Sequence, residues 1–160
     1  RMFPAEKYFR INYDNDYFTA TDYYYTQGIN LEVVNPAYDK FFLSKLLYVE
    51  KGGNRQYGIA LEHNGYTPIT ISSSEIQYGD RPFAAAVMLR LFVMNDHSEH
   101  RYRITSALTM GVIGPAAGGG DMQKEIHKWI HATIPQGWQH QISNDVVLIT
   151  NFSELTFCLL

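Results

Sequence analysis

The stretch Phe9-Arg10-Ile11-Asn12-Tyr13-Asp14 alternates apolar and polar side chains. Alternation with a period of two is typical of a strand that has one apolar and one polar face. A similar alternation occurs in five further stretches, at residues 28–33, 57–62, 83–94, 102–112 and 146–152. The sequence therefore predicts six strands and an all-β fold, an antiparallel up-and-down meander.

The composition limits the classes of protein to which this chain can belong. Aromatic residues make up 14% of the chain, and aromatic side chains pack well on a pleated sheet. A length of 160 residues allows one domain with its own core, so residues 1–160 are expected to form a single domain. The formal net charge of -3 predicts no basic surface and no nucleic-acid partner. The lone Cys158 cannot form an internal disulfide.

The strands suit either a soluble β-sandwich or an outer-membrane β-barrel. Their polar faces hold Gly, Ala, Asn, Thr and single charges, whereas a face in bulk water is expected to be rich in Lys and Glu. These small residues favour a barrel with a polar interior. No apolar run reaches the length of a transmembrane helix, because Arg90 interrupts the longest one. If the fold is a soluble sandwich, the sequence suggests a carbohydrate-binding protein with Trp129 and Trp138 as stacking platforms.

The connections of a meander alternate between the two ends of the sheet. The connections after strands one, three and five therefore share one end, and they hold the polar motifs at Asn15, Asp16 and Thr26, at residues 66–81, and at Gln123, His127 and Trp138. The opposite end receives residues 35–55, with an apolar stretch at 41–47, and a tight turn expected at Asn95-Asp96-His97. We expect the functional site at the first of these ends.

A helix is predicted after the glycines of residues 114–120. Gln123 and His127 are four residues apart, so this helix would place both side chains on one face. A neutral imidazole can act as a general base, although a histidine on such a helix is also commonly a plain surface residue. His131, one turn later, does not predict a zinc site, because no third ligand lies nearby.

These motifs, in this order, resemble the lipid A 3'-O-deacylase family of Gram-negative outer membranes. The residues that carry the resemblance are Asn15-Asp16, Tyr25-Thr26-Gln27-Gly28, Tyr66-Thr67-Pro68, Gly79-Asp80-Arg81-Pro82-Phe83-Ala84, Gly111-Val112-Ile113-Gly114-Pro115-Ala116-Ala117, Gln123 with His127, and Gly137-Trp138-Gln139-His140-Gln141. The resemblance covers essentially the whole chain, but only the N-terminal half of a typical family member.

The resemblance implies a twelve-stranded barrel in the outer membrane, with its site at the extracellular rim and lipid A, the anchor of lipopolysaccharide, as the substrate. It implies a hydrolase in which Ca²⁺ polarises an ester carbonyl and His127 activates water, with Asn15 and Gln123 as further catalytic residues. Asp16, Asn15 and Thr26 are the implied calcium ligands, since Ca²⁺ prefers oxygen donors. Arg81 is expected either to pair with a carboxylate or to approach a lipid phosphate.

The chain departs from the family pattern in two ways. Six strands cannot close such a barrel, so the chain is expected to be an incomplete barrel that lacks the C-terminal strands, unless a partner protein completes it. Thr133 stands six residues after His127, where an ungapped match to the family's best-described member has a Glu that would orient the imidazole. Thr133 is a poorer orienter. The alternative function is therefore a non-catalytic outer-membrane barrel that binds lipid or a partner protein.

Overall fold

The computed structural model describes residues 7–15 and 27–156. These residues form six antiparallel strands that follow one another in chain order across one sheet. The strands are β1 (Tyr8–Asn15), β2 (Gln27–Val34), β3 (Asn54–Tyr66), β4 (Ala84–His97), β5 (Tyr102–Ile113) and β6 (Asp145–Thr156). The predicted strands and the predicted meander are both confirmed.

The sheet has one broad apolar face. A row of paired residues crosses this face from strand to strand: Ile11, Leu31, Leu61, Leu89, Met110 and Leu148. All of them except Leu31 are exposed. An exposed apolar face of this breadth is what the lipid-facing wall of a membrane barrel presents.

The other face carries a polar cluster centred on Glu32, beside a small apolar core made of Val34, Ala60, Phe92 and Ala107. The Glu32 side chain is 9% exposed, and its carboxylate lies 3.5 Å from Arg10 Nη1 and 3.6 Å from Arg90 Nη2. The Tyr8 hydroxyl donates a hydrogen bond of 2.8 Å to the same carboxylate. Because these partners stand on β1 and β4, one buried charge on β2 ties together strands that are not neighbours in the sheet.

At one end of the sheet, the connection from β2 to β3 folds back onto the apolar face. It contains two short 3-10 helices, Pro36–Lys40 and Phe42–Leu46. Leu47 is buried there against Leu91 and Val93 of β4. The apolar stretch recognised at residues 41–47 is therefore partly a packing element for this end of the sheet.

The prediction of a tight turn at Asn95-Asp96-His97 is wrong, because β4 continues through His97 and the turn follows at residues 98–101. Side-chain contacts keep the three residues extended. Arg103 on β5 forms a bidentate ion pair with Asp96 on β4, and the His97 ring stacks on the ring of Tyr102. Both contacts join directly opposed residues of β4 and β5. The two strands therefore pair over a longer stretch than the turn preference of these residues predicts.

At the opposite end, the connections that follow β3 and β5 pack on each other. Gln136 N donates to Ile71 O at 2.9 Å, and Ile142 N donates to Phe83 O at 3.1 Å. The Phe83 and Trp138 rings lie 5.0 Å apart in a small core. The predicted clustering is therefore confirmed for two of the three connections, and the third, at residues 16–26, lies outside the described residues.

Within residues 7–15 and 27–156, no helix is long and apolar enough to cross a membrane. In this part of the chain β1 and β6 are the two edges of the sheet, so the sheet is open. That residues 1–160 form a single domain lacking the C-terminal strands of a closed barrel stays a prediction.

Candidate functional site

Among the described residues one α-helix, α1 (Gly119–Trp129), stands at the end where the β3 and β5 connections meet. It begins after Gly118, whose φ of 71° lies in the left-handed region that favours glycine. A Cβ atom added at Gly119 would lie 2.3 Å from Ala85 Cβ, which is well inside van der Waals contact. The absence of a side chain at Gly119 therefore lets the helix rest directly on β4, on the same face as the apolar row.

The buried residues of α1 form one stripe. Gly119, Gln123 and His127 are buried and follow each other at four-residue spacing. Since side chains four residues apart lie on one helix face, and Gly119 touches β4, this stripe faces the sheet. The prediction that Gln123 and His127 share a face is confirmed, and the interpretation of His127 as a plain surface histidine is wrong, because only 7% of it is exposed.

Gln123 is held by Trp138. The indole Nε1 of Trp138 donates a buried hydrogen bond of 2.7 Å to Gln123 Oε1. Gln123 is 1% exposed, and its Nε2 has no hydrogen-bond partner among the described residues. The side chain therefore presents an unused donor. Because Trp138 is itself 4% exposed, its expected role as a stacking platform for carbohydrate is wrong.

His127 is oriented by the backbone of Thr133. Its Nδ1 lies 2.5 Å from Thr133 O. A carbonyl oxygen can only accept, so Nδ1 carries the proton and, in the neutral ring, Nε2 keeps its lone pair. The chain reverses after α1 through His131, whose φ is 56°, and Ala132 N donates to His127 O at 2.9 Å. This reversal brings the Thr133 carbonyl within hydrogen-bond distance of His127 Nδ1.

A second histidine lies near the start of α1. His63 of β3 has Nε2 3.0 Å from Ala117 O, so Nε2 is the donor and Nδ1 is the acceptor. Nδ1 is buried and has no partner in the part of the chain that the structure describes. His63 was not predicted as a site residue, although it follows Ile59 and Leu61 in the apolar alternation, where a polar side chain is out of place.

The other predicted site residues are placed less fully. Asn15 ends β1, and its backbone pairs with Gln27, whose side chain is buried. Asp16 and Thr26 lie outside the described residues. Arg81 is exposed at the same end of the sheet, and its backbone N–H donates to Asp80 Oδ1 at 2.7 Å.

Asp80 also organises its own connection. Its second carboxylate oxygen accepts from Ile69 N at 2.7 Å, so one carboxylate closes the loop before β4. Among residues 7–15 and 27–156, no three His, Cys, Asp or Glu side chains converge as a metal site.

A family model described as "Outer membrane protein LpxR" matches residues 3–156. The chain belongs to the LpxR family. The resemblance to the lipid A 3'-O-deacylases and the expected localisation in the Gram-negative outer membrane are thereby confirmed. A search of curated proteins finds no match.

The LpxR family fold is also seen among solved structures. LpxR from Salmonella typhimurium matches with a TM-score of 0.61 and 22% sequence identity, over 82% of this chain and 48% of that chain. At this identity the likeness shows the fold, an antiparallel meander with one short helix that is consistent with the outer-membrane barrel of LpxR. The chain spans about half the length of the LpxR structure that it matches.

Proposed function

We propose that the protein is an outer-membrane hydrolase that removes an ester-linked acyl chain from lipid A, with His127 as the base. The observation that carries the proposal is the buried imidazole of His127 on the sheet-facing side of α1, which donates from Nδ1 to Thr133 O at 2.5 Å and so keeps Nε2 as an acceptor. A general base needs such an orienting acceptor behind the ring.

The position of α1 suits an amphiphilic substrate. The helix rests on Ala85, and Leu89, four residues along the same face of β4, is exposed. Four strand residues span about 13 Å. Acyl chains lying against the apolar wall would therefore bring their ester linkages up to the level of α1, while the phosphorylated sugar stays at the polar rim.

The chain's own residues supply the proton transfers. Nε2 of His127 takes a proton from water as the water oxygen attacks the ester carbonyl, and the imidazolium then returns that proton to the departing sugar oxygen. The products are a fatty acid and a free hydroxyl on lipid A. Gln123 Nε2 can only donate, so it is suited to hold the oxygen of the attacking water.

Asn15 is proposed to donate to the oxyanion as charge develops on the carbonyl oxygen. Together with Asp16 and Thr26 it forms a set of hard oxygen donors, which is the chemistry that Ca²⁺ prefers. When bound, the ion supplies Lewis-acid polarisation of the ester carbonyl.

The register of the sheet supports the approach of Asn15 to the helix. Asn15 pairs with Gln27, Gln27 with Gly65, and Gly65 with Ala85, which lies under the start of α1. Three strand spacings of about 4.8 Å separate Asn15 from Ala85, roughly 14 Å in total. The helix has 11 residues and spans about 16 Å. This length slightly exceeds the roughly 14 Å between β4 and β1, so a helix that crosses the strands toward β1 is long enough to reach Asn15.

Mass spectrometry of lipid A tests the proposal. Cells that express the full-length protein should yield lipid A lighter by one acyl chain, and cells that express His127→Ala should not. The matched control is His131→Ala, which removes an exposed histidine one turn away and should leave the shift unchanged. Chelation of calcium during an assay of isolated membranes should abolish the shift.

If lipid A keeps all its acyl chains in cells that contain folded full-length protein, the proposed hydrolase function is wrong. Lipid binding that persists without any acyl loss would instead support the alternative, a non-catalytic barrel of the same fold. The substitution of Thr133 for Glu motivates that alternative, whereas the carbonyl contact from the same residue favours the enzyme.

A further inference from the structure

Residues 41–48 form a surface element at the end of the sheet opposite α1, which we call the foot. The foot is anchored on the apolar face of the sheet, because Leu47 packs with Leu91 and Val93 of β4. Its backbone is fixed as well, since Tyr48 N donates to Ser106 Oγ on β5 at 3.0 Å. The position of the foot relative to the strands is therefore defined.

The outward side of the foot is apolar. Phe42 is 69% exposed and Leu46 is 70% exposed, and Phe41 and Tyr48 are exposed beside them. The patch extends to β6, because the Tyr48 ring lies 5.3 Å from the ring of Phe152. A contiguous patch of this kind marks an interaction surface, because exposing it to water is unfavourable.

The height of the foot identifies what covers it. Along β4, the contact with α1 at Ala85 and the contact with the foot at Val93 are eight residues apart, or about 26 Å of strand. With the usual strand tilt of about 40°, this corresponds to roughly 20 Å along the membrane normal. The apolar band of an outer-membrane barrel is about 25 Å tall. With α1 at the outer edge of this band, the band extends down to the foot, which places the patch at the level of lipid.

The chemistry of the foot agrees with a lipid interface. Aromatic side chains are enriched at the level of the headgroups, where Phe41, Phe42, Tyr48 and Phe152 would form part of such a girdle. Lys40 and Lys45 flank the patch and are exposed. Lysine side chains at this level reach the lipid phosphates while their methylene stems stay in the apolar layer.

We infer that the foot is an interfacial anchor that inserts Phe42 and Leu46 into the periplasmic phospholipid leaflet. The anchor fixes the height of the barrel at the end opposite α1, and thereby the depth at which α1 lies in the outer leaflet. The inference rests on the outer-membrane localisation and the packing of the foot, and it holds whether or not the protein is a hydrolase.

Spin labelling tests the anchor. The full-length protein, with Cys158→Ser, is reconstituted in phosphatidylethanolamine and phosphatidylglycerol vesicles with a nitroxide at Phe42→Cys or Leu46→Cys. Asp39→Cys is the matched control, because Asp39 is exposed in the same connection but outside the patch. At the two patch positions, collisions with oxygen should exceed collisions with a water-soluble nickel chelate several-fold, and the order should reverse at Asp39.

Three results would overturn the anchor. Equal nickel access at the patch and at the control position would place the patch in water. Shielding from both reagents would show that protein covers it, and spin–spin broadening at high protein density would identify a second copy of the chain as the cover. A shift in electrophoretic mobility on heating, measured for each variant, verifies that the labelled barrels are folded.

Discussion

Replacement of Gly119 by alanine is expected to displace α1 and to impair the site without touching any proposed catalytic group. The new Cβ would lie 2.3 Å from Ala85 Cβ and 3.0 Å from Trp138 Cη2. Carbon atoms in contact are normally about 3.5–4.0 Å apart, so the helix start must move by more than about 1 Å. Overpacking of this kind costs about 1–3 kcal/mol. A displacement of about 1 Å at a catalytic group lowers the rate roughly 100-fold.

Gly120→Ala is the matched control for this prediction. Both substitutions bring the same gain in helix propensity, about 1 kcal/mol at most. At Gly120 the new Cβ would lie 3.1 Å from the nearest atoms of the Trp138 ring, so a shift of only a few tenths of an ångström is needed to relieve the contact. The rate of lipid A deacylation by the reconstituted protein should therefore fall by at least tenfold for Gly119→Ala, and by less than about threefold for Gly120→Ala.

Thermal unfolding in detergent checks the same reasoning independently of activity. Gly119→Ala should lower the unfolding midpoint relative to Gly120→Ala. Equal rates and equal midpoints for the two variants would refute the close contact between α1 and β4.

Three further substitutions test other contacts. Thr133→Ala should leave the deacylation rate within about twofold, because the imidazole is held by the backbone carbonyl and not by the threonine side chain; a loss of tenfold or more would contradict this. Trp138→Phe leaves Gln123 Oε1 buried without its donor and should cost about 1–3 kcal/mol, measured as a lower unfolding midpoint. Glu32→Ala removes the shared acceptor of one tyrosine and two arginines and should destabilise the folded protein by about 1–3 kcal/mol, whereas Glu99→Ala in the exposed turn should leave the midpoint unchanged.

The strands could be predicted from the sequence because alternation is a direct consequence of the pleat. The turn at Asn95-Asp96-His97 could not be placed correctly, because its residue types favour turns while their partners lie on β5 and in the connection before β3. Asn95 Nδ2, for example, donates to Glu50 O at 2.9 Å, a contact between residues far apart in the chain. Local preference gave way to pairing across strands.

The candidate site was only partly predictable for a related reason. The spacing of Gln123 and His127 reports a shared helix face, and the structure has them there. The partner of His127 is a carbonyl oxygen, which every residue carries, so the identity of Thr133 gave no signal for it. The bond between Trp138 and Gln123 depends on how the chain after α1 folds back, which periodicity does not encode.

The central claim is that His127 delivers water to the acyl carbonyl of lipid A. Purified full-length protein incubated with lipid A in H₂¹⁸O should release fatty acid that carries one ¹⁸O atom in its carboxylate, while the new sugar hydroxyl remains unlabelled. His131→Ala should give the same labelled product, and His127→Ala should give none. Release of unlabelled fatty acid, or labelled release that persists in His127→Ala, would contradict the account.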